Sequence, residues 1–314
     1  MTKLIIQIPC YNEAETLAVT LSCLPRQLPG IDVIEWLIID DGCTDETVKV
    51  ARDNGVDHII SHPRNLGLAK AFMTGLRSCV KLGADIIVNT DADNQYNAED
   101  IPLLVQPILE KRAEIVIGAR PITSIKHFSL LKKILQKNGS WVVRVASGTD
   151  IPDAPSGFRA ISRDAAMQLH VFSKYTYTLE TIIQAGQKNM EVISTPIRVN
   201  KDLRPSQLVK STPSYINQAI ITIIRIFVVY KPFRFFLSIA ALFLTLGFLL
   251  GVRFLFFYLT GAGQGHVQSV VLSGVLLGIG FQTVLVAFLA DIIAANRRLL
   301  EDVRYELKKK HSGK

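Results

Sequence analysis

Two aspartates stand one residue apart directly after a short apolar run. The run ADIIV covers residues 84–88, and Asp91 and Asp93 follow it in the stretch NTDADNQY. Paired carboxylates at this spacing suit a hard divalent cation such as Mg²⁺ or Mn²⁺, which commonly bridges protein oxygens to substrate phosphates. Solvated surface acids are the alternative interpretation of such a pair. The pattern therefore predicts a metal site only if the fold places the pair beside other polar groups.

The elements that must position this pair alternate between strand and helix. Apolar runs predict strands at 3–9, 34–41, 57–61, 84–93 and 113–120. Helical spacing and glycine stops predict helices at 12–24, 44–54, 67–83 and 98–112. This alternation is typical of an α/β fold with a mostly parallel, Rossmann-like sheet and helices on both faces.

Polar residues stand at the carboxyl ends of four of these strands. They are the stretches PCYNE, DDGCTD, DADNQ and GAR. Ligands of parallel sheets bind beyond the carboxyl ends of the strands. We therefore expect these stretches to meet at one edge of the sheet and to form a site there.

The chain changes character after about residue 211. Apolar runs at 233–259 and 267–294 exceed the roughly 20 residues that a membrane-spanning helix needs, and the glycine-rich link 260–266 predicts a hairpin between them. Two buried core helices are the alternative. We predict four regions, which are a cytoplasmic domain at 1–211, an interfacial amphipathic helix at 212–232, two transmembrane helices within 233–296 and a basic cytoplasmic tail at 297–314.

The formal net charge of +8 is concentrated beside the two apolar runs. Residues 201–234 carry six basic residues against one acidic residue, and residues 297–314 carry seven against three. Basic residues that flank spans on the side opposite the hairpin tip indicate a cytoplasmic location for the large domain and the C-terminus. Attraction to anionic lipid explains this charge, and a nucleic-acid partner is disfavoured.

The combined motifs resemble a known family. IPCYNEAETL, IIDDGCTDET, NLGLAKAF, TDADNQY and IGAR together resemble the family 2 glycosyltransferases of the GT-A fold, with Cys43 in place of the usual serine. SGFRAISRDA and the basic LRPSQLVK stretch resemble the polyprenyl-phosphate glycosyltransferases, the group that contains dolichol-phosphate mannose synthase. The resemblance covers about residues 1–211, and a two-span tail is also seen in that group.

The resemblance implies roles on the donor side. Asp91, Asp93 and Gln95 would ligate Mg²⁺ or Mn²⁺, and Asp93, Arg120 and Glu180 would act on the diphosphate and the sugar. The remaining implied contacts are to the nucleotide-sugar, and they are Pro9, Tyr11, Glu13, Asp40, Asp41, Asp91, Arg204 and Lys210. Helix capping is the alternative for Asp40 or Asp41, a surface salt bridge for Arg120, and attraction to lipid headgroups for Arg204 and Lys210.

On the acceptor side the resemblance implies a polyprenyl phosphate, either undecaprenyl or dolichyl. Lys132, Lys133 and Arg159 are the candidates for its phosphate. No histidine stands out as a general base, and a phosphate monoester needs none because its second pKa is near 6. The resemblance implies a single displacement with inversion. A homo-oligomer is also compatible with the resemblance, because membrane enzymes of this kind often associate through their spans.

Several alternatives stay open. The donor is expected to be a UDP-sugar that carries a hexose-type group, with GDP-mannose as the alternative. A processive polysaccharide synthase is a second enzyme class, but it would need more spans and usually a Gln/Arg-X-X-Arg-Trp motif, which is missing from the sequence. A non-catalytic membrane adaptor is a third class, which loss of either aspartate of the pair would favour.

Overall fold

The protein forms two compact units. The structure is a computed structural model that describes residues 1–121, 143–145, 147–171, 177–201, 221, 224–261 and 263–312. The first unit comprises Met1–Ala219 with Arg304–Lys314, and the second comprises Ile220–Val303. The predicted region boundaries at 211, 232 and 296 stay predictions.

The first unit is built on a seven-stranded sheet within the described residues. Its strands are β1 (Lys3–Cys10), β2 (Val33–Asp40), β3 (His58–Ser61), β4 (Ile86–Asn89), β5 (Ile115–Ala119), β6 (Arg159–Ser162) and β7 (Val192–Pro196). Their order is β3-β2-β1-β4-β6-β5-β7. Only β6 runs antiparallel to its neighbours among these strands, so the predicted mostly parallel sheet is confirmed.

Helices cover the sheet between the strands. In the first unit they are α1 (Ala14–Cys23), α2 (Thr47–Asp53), α3 (Leu68–Lys81), α4 (Ile101–Leu109), α5 (Arg163–Gln168) and α6 (Thr178–Gln187), with a 3₁₀ turn at Ala98–Asp100. Leu4, Ile6 and Ile8 of β1 lie in one hydrophobic cluster with residues of α1 and α4. Ile5 points to the other face and is also fully buried. A strand buried on both faces is apolar along its whole length, which is why β1 shows no alternation.

The fourth strand is shorter than the sequence predicts. The apolar pattern predicts a strand over 84–93, but β4 ends at Asn89. Asn94 adopts a left-handed backbone with φ of 54°, which asparagine tolerates better than most residues. Asp91 and Asp93 therefore lie in a tight loop just beyond the strand rather than on it.

Two long helices, α7 (Pro232–Leu259) and α8 (Val267–Ser312), supply most of the described residues of the second unit. Three pairs of close contacts join them, namely Leu244 with Gly280, Gly247 with Leu277, and Gly251 with Ser273. The Ser273 hydroxyl donates a 2.6 Å hydrogen bond to the Gly247 carbonyl. Residue numbers rise along one helix as they fall along the other, so the two helices form an antiparallel hairpin.

Both helices are long and apolar enough to cross a membrane. Their most apolar windows have mean hydropathies of 2.4 and 2.2, and only 11% and 17% of those windows are buried. This exposure disfavours the alternative of two buried core helices. The predicted span 267–294 lies within α8, which continues to Ser312, and the bounds of the span stay a prediction. Residues 281–312 contain no glycine or proline that would stop a helix.

Candidate active site

The carboxyl ends of four parallel strands meet at one edge of the sheet. In the strand register Cys10 of β1 lies beside Asp40 of β2, and Gln7 of β1 lies beside Asn89 of β4. The antiparallel β6 begins at this same edge, since Arg159 pairs with both Asn89 and Ile117. The expected convergence of polar strand ends is therefore present, and the residues that precede β6 join it.

Hydrogen bonds tie the loop after β1 to the loop after β2. The Glu13 amide donates to the Thr47 hydroxyl at 2.8 Å, and the Thr44 amide donates to the Asn12 side chain at 2.8 Å. Tyr11 is 43% exposed between these loops, whereas Pro9 is buried within β1. These loops bring together Tyr11, Glu13 and Asp40, three of the residues expected to hold the nucleoside.

The two aspartates of DDGCTD have different surroundings. The Asp40 carboxylate accepts the Cys43 amide at 2.7 Å. Burial alone would raise the pKa of Asp40, but hydrogen bonds from Cys43, Ser61 and the Gly42 amide hold that pKa below its ordinary value. Asp40 is therefore a carboxylate at neutral pH.

Asp41 is directed toward the segment that precedes α3. Its oxygens accept the amides of Leu66 and Gly67 at 2.9 and 2.8 Å, and Oδ1 lies 2.8 Å from Nδ1 of His62. Gly67 is the residue before α3, so this arrangement matches the capping alternative for Asp41. A nucleoside contact from Asp40 or Asp41 stays a prediction.

Gly42 lies under the loop that Asp41 holds, and its replacement by alanine should strongly destabilise the protein. Its φ is +75°, and an added Cβ would lie 2.4 Å from the Arg64 carbonyl carbon. We expect a loss of about 2–5 kcal/mol from backbone strain and steric overlap together. Gly55→Ala is the matched control, because Gly55 has φ of +70° with open space around it. Thermal unfolding in detergent should show the larger drop for Gly42→Ala, and equal drops would contradict the predicted overlap.

The loop with Asp91 and Asp93 is held at several points. Asp93 Oδ1 accepts the Gln95 amide at 3.1 Å, which closes a tight turn. The hydroxyl of Thr20 on α1 donates to the Ala92 carbonyl at 2.8 Å. The Asn200 side chain donates to the Asn94 carbonyl at 2.9 Å. The backbone of the loop is therefore held by α1 through Thr20 and by the segment after β7 through Asn200.

The two carboxylates interact electrostatically. Burial raises the pKa of Asp91 to about 7, the Asp93 carboxylate adds to the rise, and Arg120 and Arg159 oppose it. A hard divalent cation would stabilise the charge of the Asp91 carboxylate, which burial and the neighbouring Asp93 disfavour. The described residues contain no cluster of three or more His, Cys, Asp or Glu that could hold a metal. Asp91 and Asp93, with the side chain of Gln95, stay the predicted ligands of a divalent cation whose remaining ligands a substrate would supply.

Arg120 forms a bidentate ion pair with Asp153. Its Nε and Nη2 donate to the two carboxylate oxygens at 2.7 and 3.0 Å, and its backbone amide donates to Oδ2 at 3.1 Å. The side chains are only 12% and 1% exposed, so the pair is buried, unlike the predicted surface alternative. Burial alone would lower the pKa of Arg120, but hydrogen bonding to Asp153 raises it. The expected contact of Arg120 with phosphate stays a prediction.

Two predicted site residues are buried behind the loop. Arg159 is fully buried, and its guanidinium donates to the carbonyls of Ser156 and Thr178 and to the Thr181 hydroxyl. A lipid phosphate would reach it only after a rearrangement, so the geometry favours a structural role. Glu180 is 7% exposed on the first turn of α6, which the Arg159 contacts hold in place.

Four further predicted residues lie outside the described residues, so the structure does not bear on them. They are Lys132, Lys133, Arg204 and Lys210.

Three residues at the site were not assigned a role from the sequence. Asp153 pairs with Arg120, the Tyr96 hydroxyl accepts the Gly157 amide at 3.0 Å, and Gly157 packs against the Asp91 carboxylate. The turn residues of DAPSGF, directly before a predicted strand, were the available signal. They reach the site because β6 is antiparallel and begins where β4 ends.

Comparison with known sequences decides the family. The profile described as Glycosyl transferase family 2 matches residues 5–169, more than half of the chain. The chain belongs to glycosyl transferase family 2. The predicted family is thereby confirmed, and the protein is a hexosyltransferase enzyme with a GT-A fold.

Relatives of this family 2 glycosyltransferase include two named lipid-phosphate enzymes. An undecaprenyl-phosphate mannosyltransferase of Micrococcus luteus is 27% identical over 230 residues, which cover 69% of this chain and 91% of the relative. A UDP-N-acetylglucosamine–dolichyl-phosphate N-acetylglucosaminyltransferase of Methanococcus voltae is 31% identical over 214 residues, which cover 61% of this chain and 83% of the relative.

Solved structures share the fold at low sequence identity. Glucosyl-3-phosphoglycerate synthase from Mycobacterium tuberculosis, in complex with Mn²⁺, uridine diphosphate and phosphoglyceric acid, superimposes with a TM-score of 0.56 at 17% identity. The match covers 71% of this chain and 78% of that enzyme. It supports the GT-A fold of this family 2 member.

Proposed function

We propose that the protein transfers a hexose-type sugar from a UDP-sugar to polyprenyl phosphate at a membrane surface. The observation that carries this proposal is the pair Asp91 and Asp93, fixed just beyond β4 in a turn that the hydrogen bond from the Gln95 amide to Asp93 closes. The names of the relatives support a lipid-phosphate acceptor. The UDP in the Methanococcus voltae relative's name supports the nucleotide.

The donor would bind along the carboxyl edge of the sheet. Pro9 and Asp40 at the carboxyl ends of β1 and β2, with Tyr11 and Glu13 in the loop after β1, would hold the nucleoside, and β1 is the neighbour of β4. Asp91, Asp93 and Gln95 would hold Mg²⁺ or Mn²⁺. A divalent cation there would neutralise charge that develops on the diphosphate as its bond to the sugar breaks.

The transfer itself needs no proton acceptor from the protein. An oxygen of the lipid phosphate attacks the anomeric carbon of the sugar, and the bond between that carbon and the diphosphate oxygen breaks. The electron pair of the broken bond leaves with the nucleoside diphosphate. The phosphate monoester is largely dianionic at neutral pH, so it is already a nucleophile. The residues must therefore orient two anions and reduce their repulsion, with Arg120, Arg204 and Lys210 on the donor and Lys132 and Lys133 on the acceptor.

The two long helices support a location in the membrane. Basic residues flank them on the side opposite the hairpin tip, which supports a cytoplasmic catalytic domain and C-terminus. An acceptor with a long hydrocarbon chain lies in the same membrane. The proposal thus accounts for both units of the protein.

A mannosyl donor is the second candidate. It is favoured by relatives named undecaprenyl-phosphate mannosyltransferase and polyprenol monophosphomannose synthase. The two candidates share the site and the acceptor and differ only in the donor, so one experiment separates them.

The test is sugar transfer by the full-length protein in detergent. Polyprenyl phosphate is offered with Mg²⁺ or Mn²⁺ and a panel of UDP-sugars and GDP-mannose, and the lipid product is identified by mass spectrometry. We expect one lipid-phosphate sugar from a UDP-sugar, formed in equal amount with UDP and lost on addition of a chelator. A reaction without lipid controls for hydrolysis of the donor. Product from GDP-mannose alone would select the second candidate, and nucleotide binding without any product would contradict both.

A further inference from the structure

The edge of the sheet that carries the candidate site extends to the end of β3. This strand is parallel to β2, and Ser61 at its carboxyl end lies beside Asp40. The His62 amide continues the pairing by donating to the Asp40 carbonyl at 2.8 Å. Residues 62–67, which we call the β3–α3 segment, therefore begin at the same edge as the loops that would hold the nucleoside.

The β3–α3 segment packs against the loop after β2. A Cβ on Gly42 would lie 2.6 Å from the Asn65 nitrogen, so the two backbones are in direct contact. At the far end of the segment, the Asp41 oxygens accept the amides of Leu66 and Gly67 at 2.9 and 2.8 Å. The position of the segment thus depends on the orientation of the Asp41 side chain.

The imidazole of His62 is buried between Asp41 and α3. Its Nδ1 lies 2.8 Å from Asp41 Oδ1, and its Nε2 lies 3.0 Å from the hydroxyl of Thr74 on α3. The side chains of His62 and Asp41 are only 9% and 4% exposed. An ionised carboxylate only accepts hydrogen bonds, so Nδ1 carries the hydrogen and donates it to Asp41. The ring therefore joins the loop after β2 to α3.

Asp41 is the point where these connections meet. Its backbone amide donates to the Cys10 carbonyl at the end of β1 at 2.9 Å, and its side chain binds both His62 and the β3–α3 segment. A buried polar group that loses one partner is costly to leave unpaired. Removal of the imidazole would therefore favour other orientations of Asp41, and the segment that Asp41 holds would lose its fixed position.

We propose that His62 is a positioning residue for the donor nucleotide. Through Asp41 it fixes the β3–α3 segment beside the loops that would hold the nucleoside. The inference rests on the proposed function and extends the donor site to the end of β3. A segment that is ordered before the nucleotide arrives loses less conformational freedom on binding. Loss of His62 should therefore weaken binding of the donor and leave the transfer step unchanged.

The test is calorimetric titration of UDP, and of GDP beside it, into the full-length protein in detergent with Mg²⁺ or Mn²⁺. His62→Leu removes both hydrogen bonds of the imidazole. We expect the Kd of the nucleotide that binds to rise by about 5–20-fold, because affinity falls with the fraction of molecules in which the segment is ordered. In the transfer assay the KM for the donor should rise with it while kcat is unchanged, as when uniform binding is lost.

His58→Leu is the matched control. His58 lies at the amino end of the same strand, and its Nε2 is also bonded to a carboxylate, that of Glu35 at 2.8 Å. The Kd of the nucleotide should be unchanged in this variant. An equal loss of affinity in His58→Leu and His62→Leu would show a general effect on β3 and would overturn the inference.

A second pair of variants keeps a polar side chain at position 62. His62→Asn places an amide nitrogen near the position of Nδ1, where it can donate to Asp41, and should recover most of the affinity. His62→Gln places its amide near the position of Nε2, toward Thr74, and should bind as weakly as His62→Leu. Thermal unfolding identifies any variant that fails to fold.

Two results would overturn the inference at this position. They are an unchanged Kd in folded His62→Leu and an equal Kd in His62→Asn and His62→Gln. A wild type that binds neither UDP nor GDP would contradict the proposed function itself, and the inference would fall with it.

Discussion

Replacement of Asp93 by asparagine should lower sugar transfer by about 10²–10³-fold, as expected when a group that stabilises developing charge is removed. Asp93 lies in the tight turn after β4, where its Oδ1 also accepts the Gln95 amide. Asparagine preserves the size of the side chain and can still accept that hydrogen bond. The loss would therefore reflect the missing negative charge toward a cation rather than a disrupted loop. Initial rates of lipid-phosphate sugar formation measure the effect.

The control for this variant is Asp32→Asn at the opposite edge of the sheet. Asp32 precedes β2, is more than half exposed, and accepts the Thr2 amide at 2.6 Å. The same loss of one charge there should leave the rate of transfer unchanged. Thermal unfolding of both variants should match the wild type closely. Full activity of Asp93→Asn would remove the aspartate pair from the proposed chemistry and would favour the non-catalytic adaptor.

Removal of the Asp153 carboxylate should have the second large effect, this time on stability. Asp153→Ala leaves the Arg120 guanidinium buried without its bidentate partner. Breaking a buried ion pair from one side typically costs about 3–5 kcal/mol, because a charge stays in a medium of low dielectric constant. The thermal unfolding midpoint in detergent measures this loss. A midpoint close to that of the wild type would show that water or another group readily replaces Asp153.

A double variant separates the structural role of this pair from its catalytic role. Arg120→Met combined with Asp153→Leu replaces both charges by apolar side chains and should recover much of the stability lost in Asp153→Ala. Transfer should stay low in the double variant, because the Arg120 guanidinium that acts on Asp91 is lost. Recovery of stability together with full transfer would limit Arg120 to a structural role.

The site could be predicted from sequence where it depends on local pattern. Apolar runs that end in acids place Asp40, Asp91 and Asp93 at one sheet edge, because parallel strands present their carboxyl ends on the same side. The length of β4 was harder to predict. The stretch after Asn89 has no proline or glycine to mark the end of the strand, and the left-handed turn at Asn94 is stabilised by contacts with Asn200, which is remote in sequence.

The partners of these residues could not be predicted in the same way. Asp153 and Gly157 reach Arg120 and Asp91 only because β6 enters the sheet antiparallel between β4 and β5. A short strand of four residues carries no signal of its direction.

The sequence by itself determined the family, the α/β alternation, the aspartate pair and the two long apolar helices, since each is written in residues that are neighbours along the chain. Only the tertiary structure decided which side chains hold these groups in place. It assigned Asp41 to the segment before α3, Asp153 to Arg120, and Gly157 to Asp91. The physical reason is that buried polar groups must find hydrogen-bond partners across the sheet, and strand order alone brings those partners together.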